Sequence, residues 1–120
     1  MAHATVLVVD DEALVRWSLK ERLARDGYEV LEAATAAAAL EQAGESVDLI
    51  LLDFRLPDSD GLAVLKRVKE LRPNAKVIMV TGLDEEEIRE TARQHGASAY
   101  ITKPFDFSDA TWSSVLVNPT

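Results

Sequence analysis

Short apolar runs alternate with longer stretches of helical period, five times along 120 residues, and this leaves the chain few folds to adopt. Thr5–Val9 (TVLVV) reads as a fully buried strand. "ALVRWSLKERLARDG" reads as a helix with Val15, Leu19 and Leu23 on its inner face and Gly27 at its end. Tyr28–Ala33 is a second strand, and Thr35 starts an alanine-rich helix suited to close packing. Val47–Asp53 is a third strand, apolar on both faces. "DGLAVLKRVKELRP" is a helix whose apolar stripe is expected at Leu62, Leu65, Val68 and Leu71, with Pro73 past its end. Lys76–Thr81 is a fourth strand, "DEEEIRETARQHG" an acid-started helix closed by Gly96, and Ala99–Lys103 a fifth strand. Apolar strands joined by helices imply a parallel sheet covered on both faces. Right-handed crossovers then make it a doubly wound α/β fold.

The last segment departs from this rhythm. "DFSDATWSSVLVNPT" stands where a fifth helix belongs, with Ser108 as its cap and Phe107, Ala110 or Thr111, and Val115 on one face. The "SSVLV" run has poor helix propensity and Pro119 limits extension, so a short or irregular helix is expected. One domain over 1–120 is expected, with its core at about 4–107 and an atypical segment at 108–120.

Bulk properties exclude several function classes. The chain carries 13 basic against 21 acidic residues, a net charge of −8, which is the wrong sign for a nucleic-acid surface. It lacks cysteine, so disulfides and thiolate metal sites are out. No apolar run reaches the roughly 20 residues a bilayer span needs, and "MAHATVLVV" does not read as a secretory signal. A cytoplasmic location without membrane or direct nucleic-acid partners is expected.

Ligands of open α/β sheets bind beyond the carboxyl ends of the strands, at the point where strand order reverses. With strand order 2-1-3-4-5, that rim gathers Asp10 and Asp11 after the first strand and Asp53 at the end of the third. Thr81 ends the fourth strand, and Lys103, ahead of Pro104, ends the fifth. Singly, each has an ordinary explanation. Asp10 and Asp11 suit a helix N-terminus, Asp53 a turn, Thr81 a strand end and Lys103 a solvated surface. Jointly, they put three carboxylates, a hydroxyl and an ammonium on one rim. Clustered carboxylates stay ionised cheaply only beside a cation, and an all-oxygen donor set suits Mg²⁺. A metal there favours attack on a phosphoryl group by an aspartate, with Lys103 and Thr81 placed to bind its oxygens.

"VVDDE", "LLDFRLPDSDG", "MVTG" and "YITKP" occur in that order, and from Thr5 to about Phe107 the chain resembles the receiver domains of bacterial two-component response regulators. The first helix resembles the nitrogen-regulatory (sigma-54 activator) type. The resemblance implies the five-stranded, flavodoxin-like receiver fold and a phosphoacceptor signalling switch rather than a turnover enzyme. It implies that Asp53 takes the phosphoryl group from a sensor histidine kinase. Mg²⁺ would be held by Asp11, Asp53 and the main-chain carbonyl of Arg55, with Asp10 acting largely through water. Thr81 and Tyr100 would be the switch residues, Lys103 would pair with a phosphoryl oxygen, and Pro104 would follow a cis peptide. The implied output face is the fourth helix, fifth strand and fifth helix, acting on an output domain or downstream protein, with homodimerisation on phosphorylation as one form of output.

Beside the site, Arg55 is either a cation at the metal mouth or a solvated loop residue, and Gly82 leaves the site open to water. Trp17 is expected to face outward, and His3 and His95 to lie on the surface. Three rivals fit less well. A haloacid-dehalogenase phosphatase needs a second aspartate two residues after the nucleophile, where Arg55 stands. A flavin binder needs a hydroxyl- and glycine-rich phosphate loop in place of "DDEALV". A pseudo-receiver usually lacks Asp53, Lys103 or the acidic pair, all present here.

Overall fold

Strand β1 (Thr5–Val9) is buried at every position, and its residues point alternately to two cores. The computed structural model describes residues 4–44 and 46–105. The elements that follow are α1 (Ala13–Arg25), β2 (Glu29–Ala33), α2 (Ala36–Gln42), β3 (Leu49–Leu52), α3 (Gly61–Leu71), β4 (Lys76–Thr81), α4 (Glu86–Gln94) and β5 (Ala99–Thr102). All strand pairs are parallel, in the order β2-β1-β3-β4-β5. The doubly wound sheet read from the sequence is therefore the one observed.

Strand alternation splits the apolar residues cleanly. Leu7, Val9, Ile50, Leu52, Val77 and Met79 face one core, with Val64, Leu65 and Val68 of α3, Ala36 and Ala39 of α2, and Ala92 of α4. Val6, Val8, Leu49, Leu51, Ile78, Val80 and Ile101 face the other, with Leu19 and Leu23 of α1. Both faces of each central strand are thus removed from water, as parallel sheets require. Each fully buried leucine contributes about 1.5–3 kcal/mol relative to exposure.

Helix boundaries follow local chemistry. Thr35 caps α2 by accepting the Ala38 amide at 3.0 Å, as its position foretold. Asp60 caps α3 through the Ala63 amide at 2.8 Å. Gly27 and Gly96 close α1 and α4 at φ +95° and +104°, in the left-handed region where side chains are strained.

Several sequence expectations need correction. The stripe on α3 is rotated: Val64 is buried, Leu62 half-buried and Leu71 51% exposed. Leu71 is the last residue of α3. Tyr28, Val47, Asp48, Asp53 and Lys103 fall just outside their strands, since ladder pairing stops before the chain turns. His95 is half-buried, its ring Nδ1 held 2.8 Å from the Thr91 carbonyl, rather than free on the surface. Trp17 is 60% exposed and does face outward. The expected fifth helix, with Phe107, Ser108 and Val115, and the surface position of His3 lie outside the described residues.

Candidate functional site

Sheet register builds the site. Val9 pairs with Leu52, so the next residues on β1 and β3, Asp10 and Asp53, leave the sheet side by side. The Asp53 amide donates to the Val9 carbonyl at 3.0 Å, and the Lys103 amide to the Thr81 carbonyl at 2.8 Å. Asp10, Asp53 and Thr81 are all buried, at 2%, 5% and 1% exposure, whereas Asp11 and Glu12 are exposed. Asp11, Glu12, Asp53 and Thr81 border a cleft of about 1050 Å³ that also takes in Arg55, Gly82, Leu83, Lys103 and Pro104.

Lys103 is the hub. Its Nζ lies 2.6 Å from Asp10 Oδ2, 3.0 Å from Glu12 Oε1 and 3.0 Å from Asp53 Oδ2. Asp10 and Asp53 are held alike at their other oxygens. Asp10 Oδ1 accepts the Glu12 amide at 2.9 Å, and Asp53 Oδ1 accepts the Arg55 amide at 3.2 Å. These short-range bonds fix both carboxylates before any ligand arrives. The Lys103–Pro104 peptide bond is cis.

The arrangement disposes of the simplest explanation for the acidic pair. Neither aspartate caps α1, whose N-cap position is Glu12, and Glu12 makes no side-chain cap bond. Asp10 instead turns back to the Glu12 amide and to Lys103.

Electrostatics match the geometry. Burial pushes the Asp10 carboxyl above its usual range, with Asp53 adding to the effect and Lys103 and the Glu12 amide opposing it. Burial depresses Lys103, yet its interactions with the Asp10, Glu12 and Asp53 carboxylates, which accept from the ammonium, outweigh it and hold the ammonium above the ordinary lysine range. Asp10, Asp11, Glu12 and Asp53 each offer an oxygen, all within 4.8 Å of one another. Four carboxylates against one ammonium leave an excess of negative charge, and a hard divalent cation fits these donors.

A second network lies beside the cleft. The Tyr100 hydroxyl donates to the Leu83 carbonyl at 2.7 Å, two residues past Thr81. Arg89 stands over the Tyr100 ring at 4.8 Å and reaches Asp84 Oδ1 and Thr102 Oγ1, both at 2.8 Å. Burial raises the Tyr100 pKa. Tyr100 therefore sits outside the acidic cluster but is tied to the loop that leaves Thr81.

Sequence reasoning missed three contributors. Glu12 stood in the quoted motif without a role and turns out to hold Lys103. Arg16 donates to the Asp10 carbonyl at 2.7 Å and pairs with Glu32 at 3.3 Å, bracing the β1–α1 turn. Asp58 accepts the Ala36 and Ala37 amides at 2.8 and 3.0 Å, tying the loop after Asp53 to the start of α2. No linear signal links Arg16 to Glu32, Glu12 to Lys103 or Asp58 to α2.

Comparison with known proteins agrees with this geometry. The family model for the response regulator receiver domain matches residues 6–111. The chain is 38% identical over 107 residues to the chemotaxis protein CheY of Bacillus subtilis, covering 88% of each chain. It is 38% identical over 111 residues to the DNA-binding transcriptional regulator NtrC of Escherichia coli, covering 92% of this chain but only 24% of that one. Among solved structures, the CheX-CheY-BeF3-Mg+2 complex from Borrelia burgdorferi aligns with a TM-score of 0.87 at 28% identity, covering 96% of this chain and 90% of that one.

Proposed function

The chain belongs to the response regulator receiver domains, with relatives of the nitrogen-regulatory type, and from that premise we propose that it is a phosphoryl-accepting switch centred on Asp53. One observation carries the proposal. A buried aspartate, pinned by a main-chain amide and an ammonium, lies among three further carboxylates at the rim where the sheet order reverses.

The donor is a phosphohistidine of a sensor kinase. As an Asp53 oxygen bonds to phosphorus, the phosphorus–nitrogen bond of the donor breaks, and the leaving imidazole keeps the electron pair and takes a proton. Lys103 balances charge on the incoming phosphoryl oxygens, and Thr81 supplies a hydroxyl from the buried end of β4. Asp11, Asp53 and the Arg55 carbonyl would hold Mg²⁺, with Asp10 behind them acting largely through water. When bound, the metal neutralises charge on the transferring group.

Capture of a phosphoryl oxygen by Thr81 pulls on the loop that the Tyr100 hydroxyl grips at Leu83. Arg89 links that loop to α4 and β5, so the face these elements present changes with the state of Asp53. The readout is a shift between two pre-existing states. The partner is an output domain or a downstream protein, with phosphorylation-dependent homodimerisation as one form of output and no direct contact with nucleic acid or membrane. No described helix is long and apolar enough to cross a membrane, and a cytoplasmic location suits the proposed kinase partner. This is a regulatory domain with slow self-catalysed phosphorylation and dephosphorylation.

Intact mass spectrometry with Mg²⁺ and acetyl phosphate tests the proposal on wild type and Asp53→Ala. One added phosphate on wild type alone, lost on chelation, is expected. No adduct on either protein, with fluoroberyllate also failing to bind, would make the domain a pseudo-receiver and remove the proposal.

A further inference from the structure

An ammonium has three N–H groups, and that of Lys103 is enclosed by three carboxylates: it donates hydrogen bonds to Glu12 and Asp53 and lies 2.6 Å from Asp10 Oδ2. A phosphoryl oxygen reaching Lys103 must therefore displace one of them. The three partners are not equal. Asp10 and Asp53 have side chains only 3% and 6% exposed, and each is anchored at its second oxygen by a main-chain amide. Glu12 has a side chain 60% exposed and, among the described residues, no second hydrogen-bond partner. It also stands at the N-cap of α1, where a side-chain oxygen ordinarily folds back onto the helix amides. It forgoes that bond and reaches a residue 91 positions away.

We propose that Glu12 is the exchangeable partner of Lys103, a carboxylate gate that must leave before Lys103 can take a phosphoryl oxygen. Resting on the phosphoacceptor reading, this adds a residue that sets how readily the site accepts its ligand. Glu12 acts through Lys103 and is a positioning residue, not a catalytic one. Its release costs little, because a solvated carboxylate regains water as it leaves. Asp10 and Asp53 would each leave a buried charge short of a partner.

Two substitutions separate the gate from a general effect of negative charge. Glu12→Gln removes the charge. Glu12→Asp keeps the charge but is one methylene shorter, and aspartate at an N-cap turns toward the helix amides and away from Lys103. Fluoroberyllate affinity is measured by fluorine NMR at saturating Mg²⁺, after separate Mg²⁺ titrations of each protein. Both variants are expected to bind fluoroberyllate about two- to fivefold more tightly than wild type. A gain confined to Glu12→Gln would reveal a simple charge effect and overturn the gate, as would no gain in either. If wild type and variants all fail to bind fluoroberyllate and gain no phosphate, the phosphoacceptor reading falls and takes the gate with it.

Discussion

Position 82, at the cleft, is a glycine. It is exposed at the cleft, directly after the buried Thr81 hydroxyl. A Cβ built there meets nothing within 4 Å, so a larger residue fits without disturbing the fold. Gly82→Val should shield the aspartyl phosphate from water and slow its hydrolysis several-fold. Decay of the phosphorylated mass after removal of the donor measures this, and an unchanged rate removes the idea. Gly61 is the opposite case. A Cβ there would collide with the Asp53 carbonyl and stand 2.8 Å from Phe54 Cα, so only glycine lets α3 begin this close to Asp53. That Asp53 and Lys103 share one rim was legible in the motifs, because strand ends of a parallel sheet come together whatever the intervening sequence. The third bond of Lys103, to Glu12, was not. Nothing in the linear order says how many carboxylates one ammonium will gather.

Elements are held to one another by polar ties as well as by the two cores. Asp58, in the loop that leaves Asp53, clasps the first two amides of α2. Those amide bonds pull its carboxyl below the ordinary aspartate range. For an acid depressed in the folded state, the stabilisation is present above the unfolded value near 3.8 and lost as pH falls through the folded one. Asp58→Ala should therefore speed amide hydrogen exchange in the first turn of α2 near neutral pH. It should also lower the melting temperature there, and the deficit should shrink as pH drops below about 4. A pH-independent deficit would argue for lost packing instead. Elements with strong periodicity were readable from sequence: all five strands and four of the helices lie close to where their patterns put them. On α3 the buried residues are Gly61, Val64, Leu65 and Val68, a face turned from the one the leucine spacing suggested, because the helical period allows more than one apolar stripe through these residues.

The whole molecule carries a net charge of −8, with four of its carboxylates converging on one rim. A ligand that binds only the folded state stabilises it by mass action, by about 2.7 kcal/mol at a hundred times its Kd. Mg²⁺ at that excess should raise the melting temperature by roughly 10 °C. Chelation should reverse the rise, and Asp11→Ala or Asp53→Ala should abolish most of it. An equal rise in those variants would assign the effect to screening of the overall charge rather than to a site. Sequence by itself determined the layer order and which groups stand on the rim. Period-two and helical patterns follow from local geometry, and five strand ends in a parallel sheet must share one rim. Tertiary structure alone decided which groups meet across it: that Lys103 holds three carboxylates, that Asp58 caps a helix from a distant loop, and that Tyr100 grips Leu83. Contacts of that kind join residues far apart in the chain. They depend on register and loop path, which no window of neighbouring residues encodes.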